Sequence, residues 1–394
     1  MPDSHSILLV CHSYPPVIGG SEIEAQRVCS ALRARSHHVE VLCCGGPPMP
    51  PNGDWIDPLG TQISSFAWQG RTGAYAFALG VLCRLWTRRK TYQIVYFLMP
   101  GLHVALAVPF AAWLGKAIVM KFSGSNEVRK LLHSRIGRSE LASLARHAHS
   151  ILLLNEGMFQ EANQAGLPAS KLVWMPNPVD MDLFSPVSLA QKASLRNSLG
   201  LAASGHLMCF AGRLAPEKCL PTLLEAFALV LASEPGARLL IVGDGPERKT
   251  LDNLAASLGI VSSIHFTGRA EPTQIPRFMQ ASDSFALLSA LEGFPVALLE
   301  AMAVGLPPVV SDIPANRQLI SDGSSGYIVP LNNPSATARA WVDLIRQPAT
   351  AMQLGASARE HVKDKYSLKQ VALRYEQLFE PQAAGPAGGS STLA

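Results

Sequence analysis

The stretch SFALLSALEGFPVALLEAMAVGLPPVVSD, residues 284–312, sets a short apolar run, a longer apolar run and a second short apolar run in series. SFALLS and PPVVSD have the length of buried strands, and the segment from Pro295 to Val304 reads as a helix between them. Pro295 suits the first position of a helix, and Gly305 suits its C-terminal stop. Strand, helix and strand in this order are the repeating unit of a doubly wound α/β domain. Glu292 then falls in the loop at the helix mouth, and Glu300 lies inside the helix, eight residues on. The backbone N–H groups of Gly293, Phe294 and Val296 are expected at the positive end of that helix, where phosphate or polarised hydroxyls bind.

The same alternation extends outward. HLMCFAGR, a helix at 220–233, RLLIVGDG, a helix at 246–258, SIHFTGR and a helix at 273–281 precede the stretch, which predicts one α/β domain over 187–363. A first unit over 1–180 opens with the strand SILLVCHSYPP and a loop reaching Gly19 and Gly20, followed by a helix at about 21–35 and the strand HVEVLCC. Residues 46–60, GPPMPPNGDWIDPLG, read as an exposed loop. A helix at 73–87, the strand QIVYFL, a helix at 102–114 and the strands KAIVMKFSG, SILLLN and KLVWMPNPVD complete the unit. NPVDMDLFSP (177–186) is the linker, and the tail 381–394 is expected to be disordered. Two domains suit a chain of 394 residues. Pro100, Gly101, Pro109 and Lys116 break the apolar stretch 93–122, so it reads as strand, helix and strand rather than a membrane span.

At 48% hydrophobic residues the chain can bury two cores, which excludes a disordered protein. Its seven cysteines are scattered with no CxxC pair, and the N-terminus has no basic segment before an apolar core, so a reducing, cytoplasmic setting is expected. Residues 1–185 hold 16 Lys/Arg against 12 Asp/Glu and residues 186–394 hold 17 of each, so the net +4 belongs to the first half. No basic stripe is interleaved with aromatics, which argues against nucleic acid. Arg84, Arg88, Arg89 and Lys90 are the densest cations, beside Leu82, Leu85 and Trp86. They suggest weak, salt-sensitive contact with an anionic membrane. The competing reading is a helix that buries Leu82, Leu85 and Trp86 in the core with its charges solvated.

The segment EGFPVALLEAMAVGLPPVVSD resembles the donor-binding signature of the retaining GT-B glycosyltransferases, specifically glycosyltransferase family four, or group one. Both acids, Gly293-Phe294, the pair Glu300-Ala301 and the following Gly305, Pro307, Val309 and Ser311 occur in order. FAGRLAPEKCLPTLLEAF (210–227) is similar to the family's phosphate loop, in which an Arg and a Lys five residues apart clamp the diphosphate; Arg213 and Lys218 occupy those places. Fixed cations there stabilise the charge of a departing nucleoside diphosphate. YPPVIGGSE resembles the family's glycine loop, with Gly19 and Gly20 letting the backbone approach the diphosphate.

The resemblance implies a GT-B architecture, two facing Rossmann-like domains with the active site in the cleft between them. It implies that the last helix, 364–380, crosses back onto the first domain. It also implies transfer of a sugar from a UDP- or GDP-sugar to a glycan or lipid-linked acceptor, with retention and without a metal or other cofactor. Glu300 is then expected to hold the ribose hydroxyls, Glu292 the hydroxyls of the donor sugar, and Arg269, in the FTGR turn, to lie near the nucleobase. Pro295 and Val296 belong to the same donor-binding segment. Three positions depart from the family pattern: Ser123-Gly124 where a His-Gly pair is usual, Cys219 where glycine is common, and Gln318 where glutamate is common.

Four rival readings stand beside this one. LLIVGDGPER begins like a dinucleotide fingerprint, but Arg248 stands where the third glycine is needed, which disfavours a nicotinamide oxidoreductase. A metal-dependent transferase would want a D-x-D motif. The one present, Asp180-Met181-Asp182, sits in the linker and reads as a turn or cap. A sugar-nucleotide epimerase on the same architecture and a nucleotide-binding non-catalytic relative both stay open.

Overall fold

The computed structural model describes residues 4–17, 19–45, 52–66, 73–124 and 126–379, so the tail 381–394 lies outside the described residues. β1 (Ser6–Cys11), β2 (His38–Cys44), β3 (Asn52–Ile56), β4 (Gln62–Phe66), β5 (Ile94–Leu98), β6 (Ala117–Lys121), β7 (Ser150–Leu153) and β8 (Leu172–Trp174) form one sheet. Its spatial order is β3-β4-β2-β1-β5-β6-β7-β8. β9 (Leu207–Ala211), β10 (Arg238–Val242), β11 (Ile264–Gly268), β12 (Ser284–Leu287), β13 (Pro308–Ser311) and β14 (Tyr327–Val329) form a second, in the order β11-β10-β9-β12-β13-β14. Every pairing is parallel except that of β3 with β4. Strand order reverses between β1 and β5 in the first sheet and between β9 and β12 in the second. At such a switch point the connections leave in opposite directions and open a crevice beyond the carboxyl ends of the strands.

Both faces of each sheet are covered. On β1, Leu8 and Val10 join one apolar cluster while Ile7, Leu9 and Cys11 join another, the two-residue period of a strand buried on both sides. The helix Leu368–Phe379 sets Val371, Tyr375 and Phe379 at four-residue spacing against the second cluster, so the end of the chain packs on the first sheet. The hydroxyls of Tyr375 and Tyr96 meet at 2.8 Å, and Glu376 takes Arg35 at 2.5 Å and His37 at 3.2 Å.

Three expectations are corrected. The helix read as one piece from residue 364 is broken at Ser367, which is extended. Val179 of the linker donates to Tyr366 and accepts from Leu368 there, so the crossing is pinned by backbone pairing. Within 46–60, Asn52–Ile56 is an antiparallel edge strand, closed on β4 by the Asp57 carboxylate accepting the Thr61 amide at 2.7 Å. Its Gly and Pro neighbours gave it the look of a loop; pairing along a single edge is enough to order it. On the helix Gly73–Thr87, Leu85 is fully buried, and Arg84 and Arg88 pair with Glu40 and Asp54. Only part of the expected membrane face therefore faces outward. Among the described residues no helix is long and apolar enough to cross a membrane.

Candidate active site at the switch point of the second sheet

β9 ends at Ala211 and runs through Gly212 and Arg213 into the short turn Pro216–Lys218, ahead of the helix Leu220–Ser233. β12 ends at Leu287 and leads through Ser289 and Glu292 to the helix Val296–Val304. Lys218 Nζ lies 2.6 Å from Glu292 Oε1, and the Ser289 hydroxyl donates to the same oxygen at 2.6 Å. Ser311, at the end of β13, donates to the Ser289 carbonyl at 2.5 Å and is held in turn by Asn316 at 2.9 Å. The ends of three neighbouring strands thus fix one lysine–glutamate pair at the crevice.

Arg213 is exposed and has no ion-pair partner among the described residues. Its loop is shaped by the next one. Gly243 has φ 135°, and a Cβ there would stand 1.9 Å from the Gly212 carbonyl oxygen; one on Gly245 would stand 2.3 Å from that of Leu214. Gly212 and Leu214 donate to Val242 and Asp244 at 2.9 and 3.0 Å. The glycines of LLIVGDG therefore serve the close approach of two loops. Cys219, just after the lysine, has φ 50° and ψ 40°, the left-handed geometry that explains the family preference for glycine.

At the mouth of the helix Val296–Val304, Pro295 is the cap and Val296 donates to the Phe294 carbonyl at 2.9 Å. Of the three amides expected to face a ligand, that of Val296 is thus spent inside the turn. Those of Gly293 and Phe294 have no protein acceptor among the described residues. The Phe294 ring is buried, 6.0 Å from the ring of Tyr366. Arg269 follows the edge strand β11 and is exposed, two strands from β9.

The two sheets are joined across the cleft by Glu300 and Gln318, which the sequence singled out, and by Arg27 and Asn155, which sequence reasoning passed over. Arg27 Nη2 lies 2.5 Å from Glu300 Oε1, and both side chains are about nine-tenths buried, with relative exposures of 11% and 10%. Asn155 Nδ2 donates to the Gly293 carbonyl at 2.6 Å, and Gln318 Nε2 donates to the Leu154 carbonyl at 3.2 Å. An ionised glutamate at 318 has no proton to donate there, which gives this departure a structural reason. Gly19 and Gly20 open the helix that carries Arg27. Gly19 is extended, and a Cβ on it would stand 2.2 Å from the Glu22 carboxylate; one on Gly20 would enter open space.

Ser123 follows β6. Its hydroxyl donates to Glu24 at 3.3 Å, and its amide donates to Glu127 at 3.0 Å. Glu24 also pairs with Lys121, which is fully buried and donates to Asn177 at 2.8 Å; burial pushes the Lys121 ammonium below the usual lysine range. The signal for this unit was present. Glu24 shares a helical face with Val28 and Ala31, and Lys121 ends an apolar strand, so each is a charge at a core position. Asp180 accepts the amides of Asp182 and Leu183 at 3.0 Å, a turn cap as read.

Residues 191–361 match the family Glycosyl transferases group 1, and residues 18–183 match Glycosyltransferase Family 4. The chain is 24% identical to N-acetyl-alpha-D-glucosaminyl L-malate synthase of Bacillus anthracis, over 92% of this chain and 94% of that one. It is 27% identical to the GDP-mannose-dependent alpha-(1-6)-phosphatidylinositol monomannoside mannosyltransferase of Mycobacterium tuberculosis, over 66% of this chain and 68% of that one. The crystal structure of Anabaena Alr3699/HepE in complex with UDP and glucose shares the fold, with a TM-score of 0.77 and 19% identity over 95% and 98% of the two chains.

Proposed function

The chain belongs to the group 1 glycosyl transferases of glycosyltransferase family 4 and has their GT-B fold, and from that premise we propose how its own residues carry the reaction. The donor is a UDP- or GDP-sugar, the acceptor a glycan or a lipid-linked, membrane-proximal sugar, and the anomeric configuration is retained. The reading rests on the Lys218–Glu292 pair at the switch point, with Arg213 exposed on the loop that leads to Lys218. An ammonium has three donors, so Lys218 can keep Glu292 and still offer N–H groups to a diphosphate. Arg213 and the free amides of Gly293 and Phe294 add donors at the positive end of a helix.

Glu300 Oε1 is taken by Arg27, which leaves Oε2 for the ribose hydroxyls. Glu292 orients the donor sugar. The acceptor hydroxyl attacks the anomeric carbon from the side the diphosphate leaves, the new C–O bond forms as the old one breaks, and the acceptor proton passes to a leaving phosphate oxygen. Arg213 and Lys218 stabilise the charge that separates, in a cleft that closes on the nucleotide. These groups do the work assigned in other transferases to a metal, so none is required. Other support is that relatives of the chain are named for GDP-mannose, and that structures of its fold hold UDP and UDP-glucose.

The test is calorimetric titration with UDP, GDP and ADP, followed by turnover of the matching sugar donors in excess EDTA. Binding of UDP or GDP with activity retained in EDTA is expected. Activity lost in EDTA and restored by manganese or magnesium overturns the metal-free reading.

A further inference from the structure

We propose that the paired helices Gly73–Thr87 and Leu102–Trp113 form a docking surface for an anionic lipid bilayer. One face of this pair has no reason to be in water. The helix Leu102–Trp113 carries no Lys, Arg, Asp or Glu, and a helix that is apolar all round is ordinarily buried. Its inner side is: Val104, Ala107, Val108 and Ala111 are fully buried. Its outer side is not, with Leu106 43% and Trp113 70% exposed.

The neighbouring helix adds a second outward stripe, Tyr75 at 60%, Leu79 at 64% and Trp86 at 45% exposure, spaced about one and then two helical turns along one face. The stripes join through their rings. Trp86 stacks on Trp113 with centroids 5.9 Å apart, and Phe110 stacks on Trp113 at 5.7 Å. Two tryptophans, a tyrosine and two leucines in one patch are the composition of a membrane-interface anchor.

Charge selects the partner. No Asp or Glu occurs between Asp57 and Glu127, a stretch that holds Arg71, Arg84, Arg88, Arg89, Lys90, Lys116 and Lys121. Arg84 and Arg88 are neutralised by Glu40 and Asp54, and Lys121 by Glu24. Arg89 lies over the Trp86 ring at 4.2 Å, and Lys116 donates to the Arg89 and Tyr92 carbonyls, so neither has an acid partner among the described residues; Lys90 beside them is exposed. Unpaired cations at the end of an aromatic patch complement lipid phosphates below interfacial rings. The surface differs from the one expected along 82–90, because Trp113, Leu106 and Leu79 replace the buried Leu85 and the paired arginines. It deepens the membrane-proximal acceptor reading, but it is measured without turnover, so either can fail alone.

The experiment is co-sedimentation of the full chain with phosphatidylcholine vesicles, with and without 30 mol% phosphatidylglycerol, at low and high salt. Tryptophan quenching by brominated lipid is read alongside. Expected are binding to the anionic vesicles only, release at high salt, and quenching. Arg89→Gln with Lys90→Gln should lower partitioning roughly tenfold or more, since each cation near the surface is worth about one factor of five. Trp113→Ser with Leu106→Ser should abolish quenching while UDP and GDP titrations and the melting temperature stay at wild-type values. No sedimentation of the wild type at low salt overturns the proposal, as does undiminished binding by the Trp113→Ser, Leu106→Ser variant. A wild-type dimer that this variant dissociates, with no vesicle binding, overturns it in favour of self-association.

Discussion

Arg27 Nη2 sits 2.5 Å from Glu300 Oε1, joining the first helix of one domain to a buried acid of the other. Arg27 also donates to the Pro178 carbonyl at 3.4 Å and lies over the Phe184 ring at 5.5 Å, so it ties both domains to the linker. Removing one partner of a buried ion pair leaves the other charge uncompensated, at a cost of about 3 kcal/mol. Arg27→Met should therefore lower the melting temperature, and adding Glu300→Gln should restore part of the loss. Thermal denaturation of the single and double variants measures this. Additive losses would show that the pair contributes no coupling.

The two signature acids should differ in kinetics. Glu300→Gln keeps a group for Arg27 to contact but would weaken the proposed ribose contact, which belongs to both ground and transition states in the proposed reaction. Nucleotide Kd should rise about tenfold with little change in kcat. Glu292→Gln should lower kcat at nearly constant nucleotide Kd, because the proposed contacts to the donor sugar would position the reacting carbon. Equal effects on Kd from both substitutions would remove the distinction.

Cys219 holds a left-handed backbone at φ 50°. Cys219→Gly should raise stability by up to about 1 kcal/mol, and Cys219→Val should lower it by at least as much. Equal melting temperatures for the two variants would show that the geometry is not retained in solution.

Glu140 is fully buried and accepts the Gly101 amide at 3.2 Å; burial pushes its carboxyl up to about 8 from 4.5. His103 is shifted the other way, down to about 4 from 6.5, again by burial. Between about pH 4 and 6.5 the unfolded state holds the extra histidine proton, so that group makes stability rise with pH. From about 4.5 to 8 the folded state holds an extra proton on Glu140, which offsets the histidine up to about 6.5 and makes stability fall as pH rises above it. Glu140→Gln should flatten this upper limb in melting curves taken from pH 6.5 to 8.5. An unchanged slope would place the carboxyl's titration elsewhere.

The periodic apolar runs made both sheets legible, as well as the helix mouth with Glu292. β3 was hidden because an edge strand flanked by Gly and Pro has the composition of a loop. The membrane face was legible only in part. Local spacing cannot tell that Leu85 points inward, or that Arg84 finds Glu40, 44 residues away in the chain. The cross-cleft contacts were illegible for the same reason, since Arg27 and Glu300 stand 273 residues apart and only the folded topology brings them together. Glu24 and Lys121 were readable in principle as charges on apolar faces, and each explains the other.

In the proposed reaction Arg213 and Lys218 hold the diphosphate as the donor bond breaks. The direct measurement is nucleoside diphosphate release from UDP- and GDP-sugars by the wild type, Arg213→Ala and Lys218→Ala. Arg213 is exposed, so its variant should melt like the wild type, whereas Lys218→Ala removes one charged partner of the largely buried Glu292 and should lose some stability. With at least one donor the wild type should turn over, and each variant should lose about a hundredfold or more in kcat. Wild-type rates from Arg213→Ala and Lys218→Ala, or no turnover of any UDP- or GDP-sugar by the intact protein, would rule out this role for the two cations.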